Sequence, residues 1–164
     1  MTSGHASNIT PILICGAGPA GLALAVELGL RDIAVTIIEA QNRVGRQPRA
    51  KTTNVRSMEH LRRWGLAEKV RARAPLPADY KRDIVFATRL FGHPIGRIEH
   101  ALFMSPPRDE RYAEPSQWIP QYCIEDILRE KIETLPSVTD STTARSLRRN
   151  VPTRLPNCTT SPGR

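Results

Sequence analysis

A short apolar segment, a glycine-rich turn, a small-residue helix and a second apolar segment follow one another near the start of this chain. Residues 9–15 (ITPILIC) predict a buried strand with Pro11 near its entry, and residues 34–39 (AVTIIE) predict another. Between them, the turn GAGPAG at 16–21 leads into a helical stretch that ends near Gly29. A strand, turn, helix and strand within about thirty residues match one βαβ unit. The sequence therefore predicts an α/β fold with a Rossmann-like unit of parallel strands.

The glycine turn matches the pattern GxGxxG, in which each glycine has its own mechanical task. Gly16 permits the tight turn, Gly18 lets a diphosphate approach the backbone, and Gly21 lets the helix pack closely on the strand. The helix N-terminus offers unpaired N–H groups and partial positive charge to an anion. Pro19 fits the first helical turn, because the N–H that it lacks has no partner there. The candidate nucleotide-binding positions are Gly16, Gly18, Pro19, Ala20 and Gly21.

Glu39 ends the second strand, 18 residues after Gly21, where an acid accepts hydrogen bonds from a ribose hydroxyl pair. A carboxylate there argues against NADP in this pocket, because it would repel the 2′-phosphate. The alternative is a glycine-rich turn followed by an unrelated surface glutamate. The βαβ unit alone leaves the choice between NAD and FAD open.

The net charge of +8 raises the question of nucleic-acid binding. Residues 137–164 carry half of it, since five arginines there oppose one aspartate. The other basic residues are interspersed with acids, which argues against a nucleic-acid partner, because such a protein gathers its arginines on one face. The three cysteines share no metal-ligand spacing, so no metal is expected, and Cys15 is predicted to be a buried thiol.

The chain shows no sign of a membrane segment or a signal peptide. No run approaches the ~20 apolar residues that cross a bilayer, and residues 1–8 (MTSGHASN) lack a charged start and an apolar stretch. A cytoplasmic protein without a membrane partner is the expectation.

Beyond the βαβ unit the sequence predicts additional helices and a small strand pair. The predicted elements are a loop over 41–53, a helix over 54–64, a helical turn over 67–73, strands over 83–88 and 95–99, a loop over 103–116 and a helix over 124–135. After Pro136 the chain is rich in Ser, Thr, Pro and Arg and cannot offset the cost of ordering its backbone. We therefore expect a domain over 1–136 and a disordered basic tail over 137–164. That tail begins where a βα protein places its next strand, as a truncation or a shifted reading frame would produce.

Residues 12 to about 135 resemble the FAD-binding region of the aromatic-ring hydroxylases, the para-hydroxybenzoate and phenol hydroxylase family of class A flavoprotein monooxygenases. Three segments carry the likeness: ILICGAGPAGLALAVELGLRDIAVTIIEA at 12–40, GRQPRAKTTNVRSMEHLRRWGL at 45–66 and IPQYCIEDILRE at 119–130. The first is common to many FAD proteins, and the second is more specific to this family.

The resemblance implies FAD as the cofactor, NAD(P)H as the electron donor and an aromatic small molecule as the substrate. It implies that Glu39 binds the adenosine ribose, that Arg49 contacts the ribityl or pyrophosphate region and that Gln121 hydrogen-bonds along the same cofactor. The alternative for Arg49 is a solvated loop charge, and for Gln121 a helix cap. No catalytic residue is identified.

The family's later Asp-Gly and Gly-Asp motifs and its sheet-based substrate domain have no match in this sequence. The resemblance therefore implies a partial FAD-binding domain, incomplete relative to the family, whose own hydroxylase activity is doubtful. Three alternatives remain: another FAD-dependent oxidoreductase, a plain NAD-binding module, or a non-catalytic truncated product.

Overall fold

The computed structural model of this chain describes residues 11–40, 49–76, 80, 83–103 and 110–141. The helices are α1 (Pro19–Gly29), α2 (Val55–Arg63), α3 (Ala67–Arg73) and α4 (Gln121–Ile132). The strands are β1 (Ile12–Cys15), β2 (Val35–Ile38), β3 (Thr52–Thr53), β4 (Ile84–Ala87), β5 (Pro94–Ile98), β6 (Gln117–Trp118) and β7 (Val138–Ser141). Within these described ranges, no helix has the length and apolar character that crossing a membrane requires.

The predicted βαβ unit is confirmed as β1, α1 and β2. The two strands are parallel, with Ile12 opposite Val35 and Ile14 opposite Ile37, so their inward side chains form one apolar layer. Helix α1 crosses between them and buries Leu22 and other side chains against that layer. The class is α/β, as the sequence predicted.

Strand β7 corrects the expected start of the disordered tail. Residues 138–141 pair in parallel with β2, which completes a sheet of order β1-β2-β7. The low apolar content of 137–164 as a whole does not exclude a four-residue strand, because β2 offers a free ladder edge and Val138 packs on the core. The predicted tail from 142 onward lies outside the described residues.

Helices α1 and α4 lie side by side and run parallel. Near their C-terminal ends, Leu135 and Val138 surround Gly29 so closely that an added Cβ would lie 2.8 Å from the leucine Cδ1 and 2.6 Å from the valine Cγ2. Near their N-terminal ends, Pro19 and Gln121 line one cleft. Because both helices precede strands of the parallel sheet, their positive ends open at the same edge, where β1 and β2 end.

The second face of the sheet is uncovered in the described part of the chain. Leu13 is 55% exposed, and Cys15 is exposed as well. The predictions of a buried Cys15 and of a first strand buried on both faces are therefore wrong here. The reason is the two-residue period of a strand: Ile14 points to the helices and its neighbours point away from them.

The smaller elements follow the predictions with shifted boundaries. Helix α2 begins after Asn54, whose side chain accepts a 2.9 Å hydrogen bond from the Ser57 amide. Strands β4 and β5 form the predicted antiparallel pair. Helix α4 begins and ends three residues earlier than expected, at Gln121 and Ile132, and Thr52–Thr53 of the predicted loop form a strand that pairs with β6.

Candidate dinucleotide site

The turn between β1 and α1 has the geometry that its glycines predict. Gly16 has φ +105°, a value that side-chain-bearing residues rarely adopt, and its amide donates a 2.7 Å hydrogen bond to the Ile38 carbonyl. A Cβ on Gly21 would lie 2.1 Å from the Gly16 carbonyl oxygen. The tight turn and the close helix–strand approach are therefore both present.

The N-terminus of α1 is open to an anionic group. Gly18 is the residue that precedes the helix, in extended conformation, and no side chain caps the first turn. Pro19 is the first helical residue, and the first turn contains no acid. Ala20 is exposed beside them. An uncapped, acid-free helix start with a side-chain-free residue before it fits a diphosphate, because free amides and the helix dipole attract negative charge.

Glu39 lies against this turn. Its Oε2 accepts a hydrogen bond of 2.8 Å from the Ala17 amide, and the side chain is partly buried. This contact follows from the sheet: β1 and β2 are adjacent and parallel, so their carboxyl ends meet at one edge. The structure therefore places the predicted acid beside the predicted turn, while its contact with a ribose stays a prediction.

Arg49 and Gln121 come from segments that are hydrogen-bonded to each other. The Gln121 amide donates to the Ala50 carbonyl at 2.9 Å, and the Ile119 amide donates to the Lys51 carbonyl at the same distance. Arg49 itself is exposed. The Gln121 side chain does not cap α4, because the residue is the first of the helix and its Nε2 donates to Glu125 Oε1 at 2.8 Å. Their contacts with a cofactor stay predictions.

A cleft of about 280 Å³ lies between α1, α2 and α4. Pro19, Ala50 and Gln121 line one part of it, so three of the predicted segments border the same space. Most of the wall is apolar, with Ile119 and Trp64 among the larger side chains. The predicted site residues therefore gather around one edge of the sheet and the cleft beside it.

Arg129 is a residue of this site that the sequence did not single out. Its Nη2 donates a 3.0 Å hydrogen bond to the carbonyl oxygen of Ala17, 112 positions earlier in the chain. The arginine side chain is 23% exposed. No spacing rule connects residues so far apart, although Arg129 does lie in the segment IPQYCIEDILRE that resembles a flavoprotein family.

Two carboxylates fix the helices around the site. Glu27 of α1 accepts hydrogen bonds from Trp64 Nε1 at 2.6 Å and from Arg63 at 2.7 Å, and the bond from the tryptophan does most to lower the pKa of Glu27. Glu130 of α4 pairs with Lys69 and Arg73, and these bonds lower its pKa. Among the described residues, no group of three His, Cys, Asp or Glu is placed to hold a metal ion.

A parallel strand pair, a glycine turn at an open helix start and an acid bonded to that turn define a Rossmann-type dinucleotide-binding protein. The sequence profile of a family described as the FAD binding domain matches residues 9–153, and the chain belongs to that family.

Individual relatives are monooxygenases. Phenol 2-monooxygenase of Pseudomonas sp. (strain EST1001) is 38% identical over 88 residues, which are 54% of this chain and 14% of the relative. The 2,4-dichlorophenol 6-monooxygenase of Delftia acidovorans is 34% identical over 89 residues, which are 54% of this chain and 15% of the relative. The crystal structure of the flavin-dependent monooxygenase PieE in complex with FAD and substrate matches with a TM-score of 0.69 at 28% identity, covering 82% of this chain and 24% of that one. The chain thus spans about a seventh of the two curated relatives.

Proposed function

We propose that this chain binds FAD as the N-terminal portion of an NAD(P)H-dependent flavoprotein monooxygenase that hydroxylates a phenolic ring. The observation that carries the proposal is the 2.8 Å hydrogen bond from the Ala17 amide to Glu39, because it joins the acid proposed to bind the ribose to the turn proposed to bind the diphosphate. The names of the relatives support the substrate class, since both act on phenols.

In this proposal each segment of the site holds one part of the cofactor. The backbone amides of Gly18, Ala20 and Gly21 donate hydrogen bonds to the diphosphate, and Glu39 accepts hydrogen bonds from the ribose hydroxyls. The guanidinium of Arg49 adds a charge-assisted bond to the diphosphate or the ribityl chain. The Gln121 side chain exchanges its bond to Glu125 for one to the cofactor.

Bound FAD supplies the redox chemistry of oxygen activation and hydroxyl transfer, which no side chain provides. The residues of this chain bind and orient it, and the apolar wall of the cleft limits the access of water to it. We assign no catalytic residue to the chain. Because the chain spans only about a seventh of its curated relatives, we propose ring hydroxylation for a protein of the relatives' length. The cytoplasm, which holds NAD(P)H, is the proposed compartment.

Titration with FAD and with NAD, followed by flavin fluorescence and by protein fluorescence, tests the proposal. The expected result is saturable binding of FAD, and at least a tenfold loss of affinity in Gly18→Val, because the branched side chain fills the space in front of α1. The control is Gly96→Val, since a Cβ there meets no atom within 4 Å. Unchanged FAD affinity in Gly18→Val would show that the diphosphate binds elsewhere, and NADH oxidation stimulated by phenol would show that the chain alone is catalytic.

A further inference from the structure

Both polar backbone groups of Ala17 are held by side chains from different parts of the chain. Its N–H donates to Glu39 at 2.8 Å, and its carbonyl accepts from Arg129 at 3.0 Å. Ala17 itself is fully buried, so water does not compete for these groups. Ala17, two residues before the first residue of α1, is thereby fixed in orientation by a strand end on one side and by α4 on the other.

We propose that Arg129 is a positioning residue of the FAD site, a role that rests on the proposed cofactor binding. The carbonyl of Ala17 and the N–H of Gly18 belong to one trans peptide plane and point in opposite directions. Because Arg129 holds the carbonyl towards α4, it turns the Gly18 N–H away from α4 and out of the turn. That amide is the donor that the diphosphate requires in the closest approach to the backbone.

The position of Arg129 on α4 suits this task. Side chains of a helix lean towards its N-terminus, and α4 runs parallel to α1, so the long side chain of Arg129 in the last turn of α4 reaches back to the turn before α1. Arg129 also forms a 3.7 Å ion pair with Asp126, whose side chain is 60% exposed. This ion pair is long and exposed, so Asp126 offsets the positive charge of the guanidinium only weakly, and that charge adds to the positive end of α1.

The test compares Arg129→Met with the matched variant Lys131→Met in the full chain. Both remove one positive charge from α4, and only the first removes the hydrogen bond to Ala17. We expect the Kd for FAD and for ADP to rise about tenfold in Arg129→Met, to rise less in Arg129→Lys and to stay unchanged in Lys131→Met. Adenosine, which has no phosphate and is titrated by NMR, should bind all four proteins equally.

The outcomes separate this inference from the proposed function. If the wild-type chain binds FAD and Arg129→Met binds it equally well, the positioning role is wrong. If Arg129→Met weakened the binding of adenosine as much as that of ADP, the fold would be loosened and the positioning role would be wrong. If Lys131→Met lost as much FAD affinity as Arg129→Met, the effect would be one of general charge, which would also overturn the role. A wild-type chain that binds neither FAD nor ADP would overturn the proposed function itself, and the positioning role with it.

Discussion

The βαβ unit and the β4–β5 hairpin start from similar apolar strand sequences and reach opposite degrees of burial. Ile37 in β2 is fully buried, whereas Phe91 and Ile95 in the hairpin are 94% and 72% exposed. Both strand pairs form backbone ladders, and the ladder of the hairpin has a register shift between Phe86 and Ala87. The difference is the crossover: α1 returns over β1 and β2 and covers one face, while the short turn of the hairpin brings no element over it. Strand pairing thus depends on the local sequence, whereas burial depends on whether the segment that connects the strands packs over them.

The same contrast appears in what holds each region together. The βαβ unit combines its core with side-chain bonds between elements, such as Arg129 to Ala17. The hairpin combines its ladder with a surface ion pair of 3.0 Å between Asp83 and Arg97. Isolated two-stranded hairpins are marginal in water and surface ion pairs add little, so the two regions should respond very differently to substitution.

Glycine-to-alanine exchange should produce the largest difference between the regions. In Gly21→Ala the new Cβ would lie 2.1 Å from the Gly16 carbonyl, so the helix and the turn must separate, at a cost of about 3 kcal/mol or more. In Gly96→Ala the Cβ meets no atom within 4 Å, and the free energy of unfolding should change by less than about 0.5 kcal/mol. Urea unfolding followed by circular dichroism measures both, and similar values would show that the turn is not tightly packed.

Truncation of apolar side chains should give the next largest difference. Ile37→Ala removes a fully buried side chain from the central strand and should lower the free energy of unfolding by about 3 kcal/mol. Phe91→Ala removes a side chain that is already in water, so its free energy of unfolding, measured by urea unfolding, should match that of the wild type within about 0.5 kcal/mol. A large loss in Phe91→Ala would mean that the hairpin packs on something in solution and that the contrast between the regions is false.

The sequence predicted the part of the fold that rests on local patterns. The βαβ unit, α3 and the strand pair were all found, because each is marked by its own hydrophobic period and turn residues. Strand β7 was missed because its only large apolar residue, Val138, gives no periodic signal and the strand is recruited by the free edge of β2. The exposed face of β1 was missed because the sequence shows an apolar run without showing what covers it.

In the candidate site, too, some residues could be placed from the sequence and others only from the structure. The turn at 16–21 and Glu39 could be placed together, since a short connection and a parallel sheet leave one arrangement. Gln121 and Arg49 came from a family resemblance, and the bond between their segments appears only in the fold. Arg129 could not be found, because a bond from an arginine to a distant backbone carbonyl leaves no mark on the residue types around it.

The smallest expected effect is the pH dependence contributed by Glu27, the carboxylate that links α1 to α2. The hydrogen bond from Trp64, followed by the hydrogen bond and charge of Arg31 and the charge of Arg63, lowers the pKa of Glu27 below its ordinary value of 4.5. A carboxyl group whose pKa is lowered on folding stabilises the protein above the ordinary pKa, and this contribution disappears as the pH falls through the lowered value. In Glu27→Gln the free energy of unfolding should therefore fall less steeply than in the wild type as the pH drops below 4.5. Parallel curves for Glu27→Gln and the wild type would mean that solvent screens the interactions of Glu27 as fully as it screens the surface ion pair of the hairpin. The contrast between the two regions would then rest on apolar packing alone.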